Sequence, residues 1–200
     1  MKNHQGKPLK HSKPISGFTL IELIISISVI AVLLALALPA FQEFTRNNRR
    51  AAAVNEFMAA GNLARAEALR RSSAVTLCRT NQPTAAAGAV DPDCGNGPNG
   101  WEDGWIIFAD LNQDNDWDAG EPLIQASQAI DGDISITGTG TTATRIRYTP
   151  NGELQPGINN GTLRVCNTSD NGARGRDIIL APVGKLRSEE NNTYTSCPPP

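Results

Sequence analysis

One segment sets the terms for the rest of the chain: Phe18 to Leu38, FTLIELIISISVIAVLLALAL, holds 21 residues with a single charge, Glu22. At about 1.5 Å per residue, a helix of that length reaches about 31 Å, and the hydrocarbon core of a bilayer is about 30 Å thick. The run therefore predicts a membrane-crossing helix. Residues 1–17 carry Lys2, Lys7, Lys10 and Lys13 and no acid, which holds that end on the cytoplasmic face by the positive-inside rule. A basic stretch before an apolar run also fits a secretory signal, and Ala35-Leu36-Ala37 supplies a small-residue cleavage site. Two features oppose that reading. The run exceeds the apolar region of about 7–15 residues usual in signals, and it carries a carboxylate five residues inside its start. A lone acid in a span costs about 2.5–3.5 kcal/mol, so Glu22 calls for a partner or a function.

Gly17-Phe18-Thr19-Leu20-Ile21-Glu22, between a short basic leader and the apolar run, resembles the processing site of type IV pilins and type II secretion pseudopilins. The resemblance implies a membrane-embedded prepilin peptidase that cuts between Gly17 and Phe18 and methylates the new amino terminus, so that Phe18 becomes the N-methylated first residue. Glycine leaves the backbone open where a protease grips an extended segment. The cut exposes an ammonium group at Phe18, and Glu22 gains a partner in the amino terminus of a neighbouring subunit, because opposite charges attract far more strongly in low dielectric than in water.

Loss of residues 1–17 changes the charge balance. The full chain is near neutral, with 18 basic and 20 acidic side chains. Without the leader, 14 basic groups face 20 acidic ones, for a net charge of −6, and both histidines, His4 and His11, are gone. A Ser-His-Asp or Cys-His catalytic arrangement and histidine-ligated zinc are then impossible, and no enzymatic activity is expected.

Beyond the span, Pro39 falls inside the helical pattern and predicts a kink. Phe41, Phe44, Ala51, Val54, Phe57, Met58 and Gly61 recur mostly at three- and four-residue steps, which extends an amphipathic helix over residues 39–73 with that stripe buried. From residue 74 the pattern changes to short β-rich runs separated by Gly, Pro, Asn and Asp. Strands are predicted at Ala74–Arg79, Trp105–Asp110, Leu123–Ala126, Ile134–Thr137, Thr144–Thr149, Leu163–Cys166 and Asp177–Ala181, paired antiparallel. The chain thus divides into a leader (1–17), a transmembrane helix (18–38), its amphipathic continuation (39–73) and a β-rich domain (74–200). The fold class is α+β, a long amino-terminal helix packed on antiparallel sheet.

The run from Ala64-Arg65-Ala66-Glu67-Ala68 through Val75-Thr76-Leu77-Cys78, then Gly104-Trp105-Ile106-Ile107-Phe108 and Gly120-Glu121-Pro122-Leu123, is similar to the GspH/FimT family of minor pilins and pseudopilins. So is the ending, with Leu163-Arg164-Val165-Cys166, Gly184-Lys185-Leu186-Arg187 and a last cysteine. The resemblance covers essentially the whole chain after the leader. It implies a single-pass inner-membrane subunit with a periplasmic carboxy-terminal domain. That subunit packs its helix against other pilins in a type IV pilus, where it is placed near the tip, or in a type II secretion pseudopilus. The basic ending and its cysteine lean toward the pilus.

Four cysteines suit the oxidising periplasm, where disulfides persist. They allow three pairings, and sequence does not choose among them. Cys78–Cys94 and Cys166–Cys197 are the expected pairs, since each closes a local loop. No C-x-x-C spacing supports a thiolate metal site.

Residues 91–133 hold eleven acids and no base. Within them Asp110, Asn112, Asp114, Asp116, Asp118 and Glu121 occupy positions one, three, five, seven, nine and twelve of a twelve-residue calcium loop, with Asn115 at the glycine position. Hard cations suit such oxygens, and calcium is the one cofactor the sequence suggests; the alternative is a solvated acidic loop between two strands. Near the end lie Arg174, Arg176, Lys185 and Arg187. Some members of the FimT branch bind DNA for uptake in transformation through a Gly-Arg-x-Arg-like motif, and Gly184-Lys185-Leu186-Arg187 resembles it, so the likeness implies DNA as a further partner. Lysine in that motif loses the bidentate fork of arginine, and the alternative is that these bases guard a strand edge against aggregation.

Overall fold

The computed structural model describes residues 17–82, 94–95, 100–130, 132–157, 161–169 and 174–191. The chain divides after Glu43 into two compact units, Met1–Glu43 and Phe44–Pro200. Helix α1, Leu20–Arg71, contributes to both and carries Pro39 in its interior.

In the first unit the start of α1 has a local cause. The Glu22 amide donates to Thr19 Oγ1 at 3.3 Å, and the Leu23 amide to the Thr19 carbonyl at 3.2 Å. Thr19 is thus the N-cap, and Glu22 is the acid three residues on that suits the helix dipole. Ser26 and Ser28 turn their hydroxyls back to the carbonyls of Glu22 and Ile24 at 2.7 and 2.8 Å. Their polar groups are therefore satisfied within the helix, as a hydrocarbon environment requires.

In the second unit α1 buries Arg50, Ala53, Val54, Phe57, Ala60, Gly61, Ala64 and Ala68. Small residues dominate this stripe, which lets neighbouring side chains reach the helix backbone: a Cβ on Gly61 would stand 2.8 Å from Leu186 Cδ2. Phe57 is the large exception, set edge-on against Trp101 and Trp105 with ring centroids 5.1 and 5.5 Å away. The stripe expected from periodicity was partly wrong. Val54, Phe57 and Gly61 are buried and Met58 packs on the core, but Phe41 and Phe44 are exposed. Both continue the uncovered apolar face of the preceding segment. Ser72, at φ 52°, turns the chain out of α1 in the left-handed conformation common at helix ends.

Among the described residues eight strands follow: β1 (Val75–Arg79), β2 (Trp105–Ala109), β3 (Leu123–Ser127), β4 (Ile134–Gly138), β5 (Arg145–Tyr148), β6 (Thr162–Asn167), β7 (Gly175–Leu180) and β8 (Leu186–Asn191). They form two four-stranded antiparallel sheets, in orders β3-β2-β1-β5 and β4-β6-β7-β8. Seven of these strands match sequence-predicted runs to within two residues at each end. The eighth, LRSEEN, was not anticipated, because an edge strand with one apolar residue lacks the alternation that marks a buried face.

One core unites both sheets with α1. Val75, Leu77, Trp105, Ile107, Ile146 and Tyr148 come from the first sheet, and Ile134, Ile136, Leu163, Val165, Ile178 and Leu180 from the second. The opposite face of the first sheet carries a second, smaller cluster of Cys78, Cys94, Ile106 and Phe108, with Trp117 and Leu123 against it. On the corresponding face of the second sheet a buried ion pair joins Arg164 to Asp177 at 3.1 Å. That pair sits at directly opposed positions of β6 and β7.

Candidate functional site

Residues 17–44 are exposed throughout. Gly17, Phe18 and Thr19 precede α1, and nothing crowds Gly17: a Cβ there would meet no atom within 4 Å. The cap at Thr19 starts the helix just beyond the Gly17–Phe18 junction. The cap leaves that junction outside the helical hydrogen bonding of α1. The sequence motif draws attention to Gly17, Phe18 and Glu22 and not to Thr19, although the spacing Thr19-x-x-Glu22 is itself a helix-start signature. Leu20, Ile21, Leu23, Ile24 and Ile25 surround Glu22, each more than half exposed. Such an apolar surface with one carboxylate is stable only inside another apolar environment.

Within the acidic loop, Arg147 of β5 supplies a cation from the protein itself. Asp110, 1% exposed, accepts from Thr76 Oγ1 at 2.8 Å and faces Arg147 Nε at 3.6 Å. The same guanidinium donates to the Gln113 carbonyl at 3.2 Å and to Gln113 Oε1 at 2.7 Å. Glu121 accepts from the Leu111 amide at 2.6 Å and the Asp118 amide at 3.3 Å. Asp116 accepts from the amides of Cys94 and Trp117 at 3.2 and 3.1 Å. Asn112 Nδ2 bridges Asp114 and Asp118 at 2.9 and 2.7 Å. Thus the residues at loop positions one, seven and twelve are spent on protein donors, and among the described residues no group of three or more acids, histidines or cysteines is placed to hold a metal ion. Asn115 at the glycine position does adopt a left-handed backbone, φ 69°, as does Gln113, φ 67°. The loop's evident work is structural: Trp117 covers the second apolar cluster, and Asp116 ties the loop to Cys94.

The four basic residues near the end do not form one patch. β7 and β8 pair Arg176 with Glu190 and Ile179 with Arg187. Because side chains alternate along a strand, Arg176 shares the face of Ile178 and Leu180, whereas Arg187 stands on the opposite face of the same sheet. Each is bonded to a glutamate of β8: Arg176 Nη2 donates to Glu190 at 3.1 Å, and Arg187 Nη1 donates to Glu189. Lys185 lies exposed in the turn between the strands. The carbonyl of Arg174 accepts from Arg50 Nη1 at 2.6 Å, which brings Arg50 of α1 beside Arg174 and Arg176. No spacing rule connects residues so far apart in the chain.

Cys78 and Cys94 are disulfide-bonded, with Cα atoms 5.4 Å apart. Cys166 is buried in β6, and Cys197, its expected partner, lies outside the described residues.

Comparison with known proteins accords with this arrangement. Residues 53–184 match the family described as Type II transport protein GspH, and residues 12–38 match the prokaryotic N-terminal methylation motif. The chain is also similar to a crystal structure of the type IV minor pilin FimU of Pseudomonas aeruginosa in space group P21. Identity is 18% over 73% of this chain and 92% of that one, with a TM-score of 0.51. A second crystal form of FimU, in space group P65, gives 16% identity over 69% and 90% of the two chains, with a TM-score of 0.47. No curated protein sequence matches. At that identity the likeness to FimU concerns the fold, one long helix packed on antiparallel sheets. With the family match over 132 of its 200 residues and the methylation motif across its apolar start, the chain belongs to the GspH family and is a minor pilin or pseudopilin.

Proposed function

We propose that this chain is a structural, non-enzymatic subunit of a type IV pilus, cut between Gly17 and Phe18 and N-methylated at Phe18. It is held in the inner membrane by Phe18–Leu38, with residues 74–200 in the periplasm. Assembly moves that helix from lipid into the company of other subunits' helices, where Glu22 pairs with a neighbour's methylated amino terminus. The observation that carries this reading is the unbroken exposure of residues 18–38 around their single charge, Glu22. No partner for Glu22 comes from the chain's own basic side chains in that segment, since residues 18–45 contain none. An acid retained at such cost fits a charge supplied by a second molecule.

Incorporation is the test. Filaments sheared from cells that carry Glu22→Ala are expected to lack the subunit while the membrane fraction retains it; normal incorporation overturns the pairing. The description of the family as a type II transport protein favours a second reading, a secretion pseudopilus. Deletion distinguishes the two: loss of surface pili with intact secretion supports the pilus, and loss of secreted protein with intact pili supports the pseudopilus.

A further inference from the structure

Gly17, Phe18 and Thr19 stand ahead of α1, and Thr19 ties them to it. Its Oγ1 accepts from the Glu22 amide at 3.3 Å and its carbonyl accepts from the Leu23 amide at 3.2 Å. A Cβ on Gly17 would meet no atom within 4 Å. The Gly17–Phe18 bond is therefore uncrowded and just outside the first helical turn, and the residue that sets this boundary is Thr19.

We propose that Thr19 is a positioning residue for processing: its side-chain cap fixes where α1 begins, and that boundary sets how readily the Gly17–Phe18 bond is cut. The inference rests on the processing proposed above. A protease cuts an extended segment, so the rate follows the population in which that segment is free of helical hydrogen bonds. Without the cap at Thr19 the helix must begin elsewhere. Apolar surroundings penalise every unpaired backbone group, so a helix there lengthens to another cap instead of fraying. Downstream, the nearest Ser, Thr, Asp or Asn is Ser26, inside the apolar run, and its hydroxyl is turned back to the Glu22 carbonyl at 2.7 Å. Upstream, Gly17 and Ser16 are both residue types that cap helices. A start at either one gives the Gly17 carbonyl to the Ile21 amide, since the carbonyl of the capping residue already accepts the first helical bond. That carbonyl belongs to the bond to be cut, so the helix would absorb the junction.

Thr19→Val is the informative change, because it keeps the branched shape and removes the accepting oxygen. The full chain in neutral detergent is mixed with purified prepilin peptidase, and cleavage is followed by intact mass at chain concentrations well below saturation. Thr19→Val should be cut about fivefold more slowly, the factor that one ordinary cap preference is worth. Thr19→Ser and Thr19→Asn keep an accepting oxygen and should be cut at the parent rate. The chemical shift of an isotopically labelled Gly17 carbonyl reads the helix boundary without the enzyme. It should move to the helical value in Thr19→Val and stay at the parent value in the other two. Cleavage of Thr19→Val at the parent rate overturns the proposal. So does equal slowing in Thr19→Ser and Thr19→Asn, or slowing in Thr19→Val with no change at the Gly17 carbonyl. A parent chain that the peptidase leaves uncut overturns the processing itself, and the proposal with it.

Discussion

Arg147→Met is the sharpest probe of how the acidic loop is held. The substitution keeps an unbranched side chain of similar reach in β5 and removes the guanidinium. Asp110, 1% exposed, then loses the cation 3.6 Å away and keeps only its bond from Thr76, while Gln113 loses both of its bonds from Arg147. Removing one partner of a buried ion pair typically costs about 3–5 kcal/mol. The 3.6 Å separation exceeds direct hydrogen-bond distance, which places the effect near the lower end, about 3 kcal/mol. For a unit of this size that is a fall in melting temperature of about 6–12 °C. Adding Asp110→Asn should recover part of the loss, because the unpaired charge is gone. The assay is thermal unfolding followed by near-ultraviolet circular dichroism, with Trp117 as local reporter, with and without calcium. A cost below about 1 kcal/mol refutes the role given to Arg147. So does full restoration of the variant by calcium, which would make the loop a cation site first and an arginine-tied cap second.

Two further perturbations test the surrounding structure. Cys78→Ser should destabilise the folded domain by about 3 kcal/mol, since the bridge closes a 16-residue separation and both of its residues belong to the second apolar cluster; an unchanged urea midpoint counts against that. At the end of α1, hydrogen bonds from Arg70 and then Arg71 hold the Glu67 carboxyl at about 2, below the usual 4.5. A depressed carboxyl contributes stability that is complete above about pH 4.5 and disappears as the pH falls through about 2. The advantage of the parent chain over Glu67→Gln in urea unfolding should therefore shrink over that interval. It should also be modest, because Arg70 is largely exposed. An advantage that grows on acidification contradicts the assignment.

Local chemistry was legible in the sequence, and chemistry that depends on distant partners was not. The helix and seven strands follow from apolar length, period and turn residues, all short-range signals. Phe41 and Phe44 were assigned to the buried stripe because periodicity registers apolar positions without saying what covers them. The contact is instead made by Ala53, Ala60, Gly61, Ala64 and Ala68, whose small side chains permit close approach but carry little hydropathy. Spacing placed six oxygens as in a calcium loop, yet Arg147, a strand away, supplies the loop's interior charge. The same blindness made Arg176 and Arg187 look like neighbours, when the pleat of the unanticipated β8 sets them on opposite faces. Arg50 reads as a charged residue off the buried stripe, but it is covered, and its Nη1 reaches the Arg174 carbonyl.

The account rests on processing at Gly17–Phe18, and the intact mass of the chain isolated from cells with and without prepilin peptidase tests it directly. With the peptidase, the mass should correspond to a chain that begins at Phe18 and carries one added methyl group; without it, the full leader should remain. A chain that begins at Leu38, after Ala35-Leu36-Ala37, would show an ordinary secretory signal and contradict the account. A full-length chain in cells with active peptidase would contradict it equally.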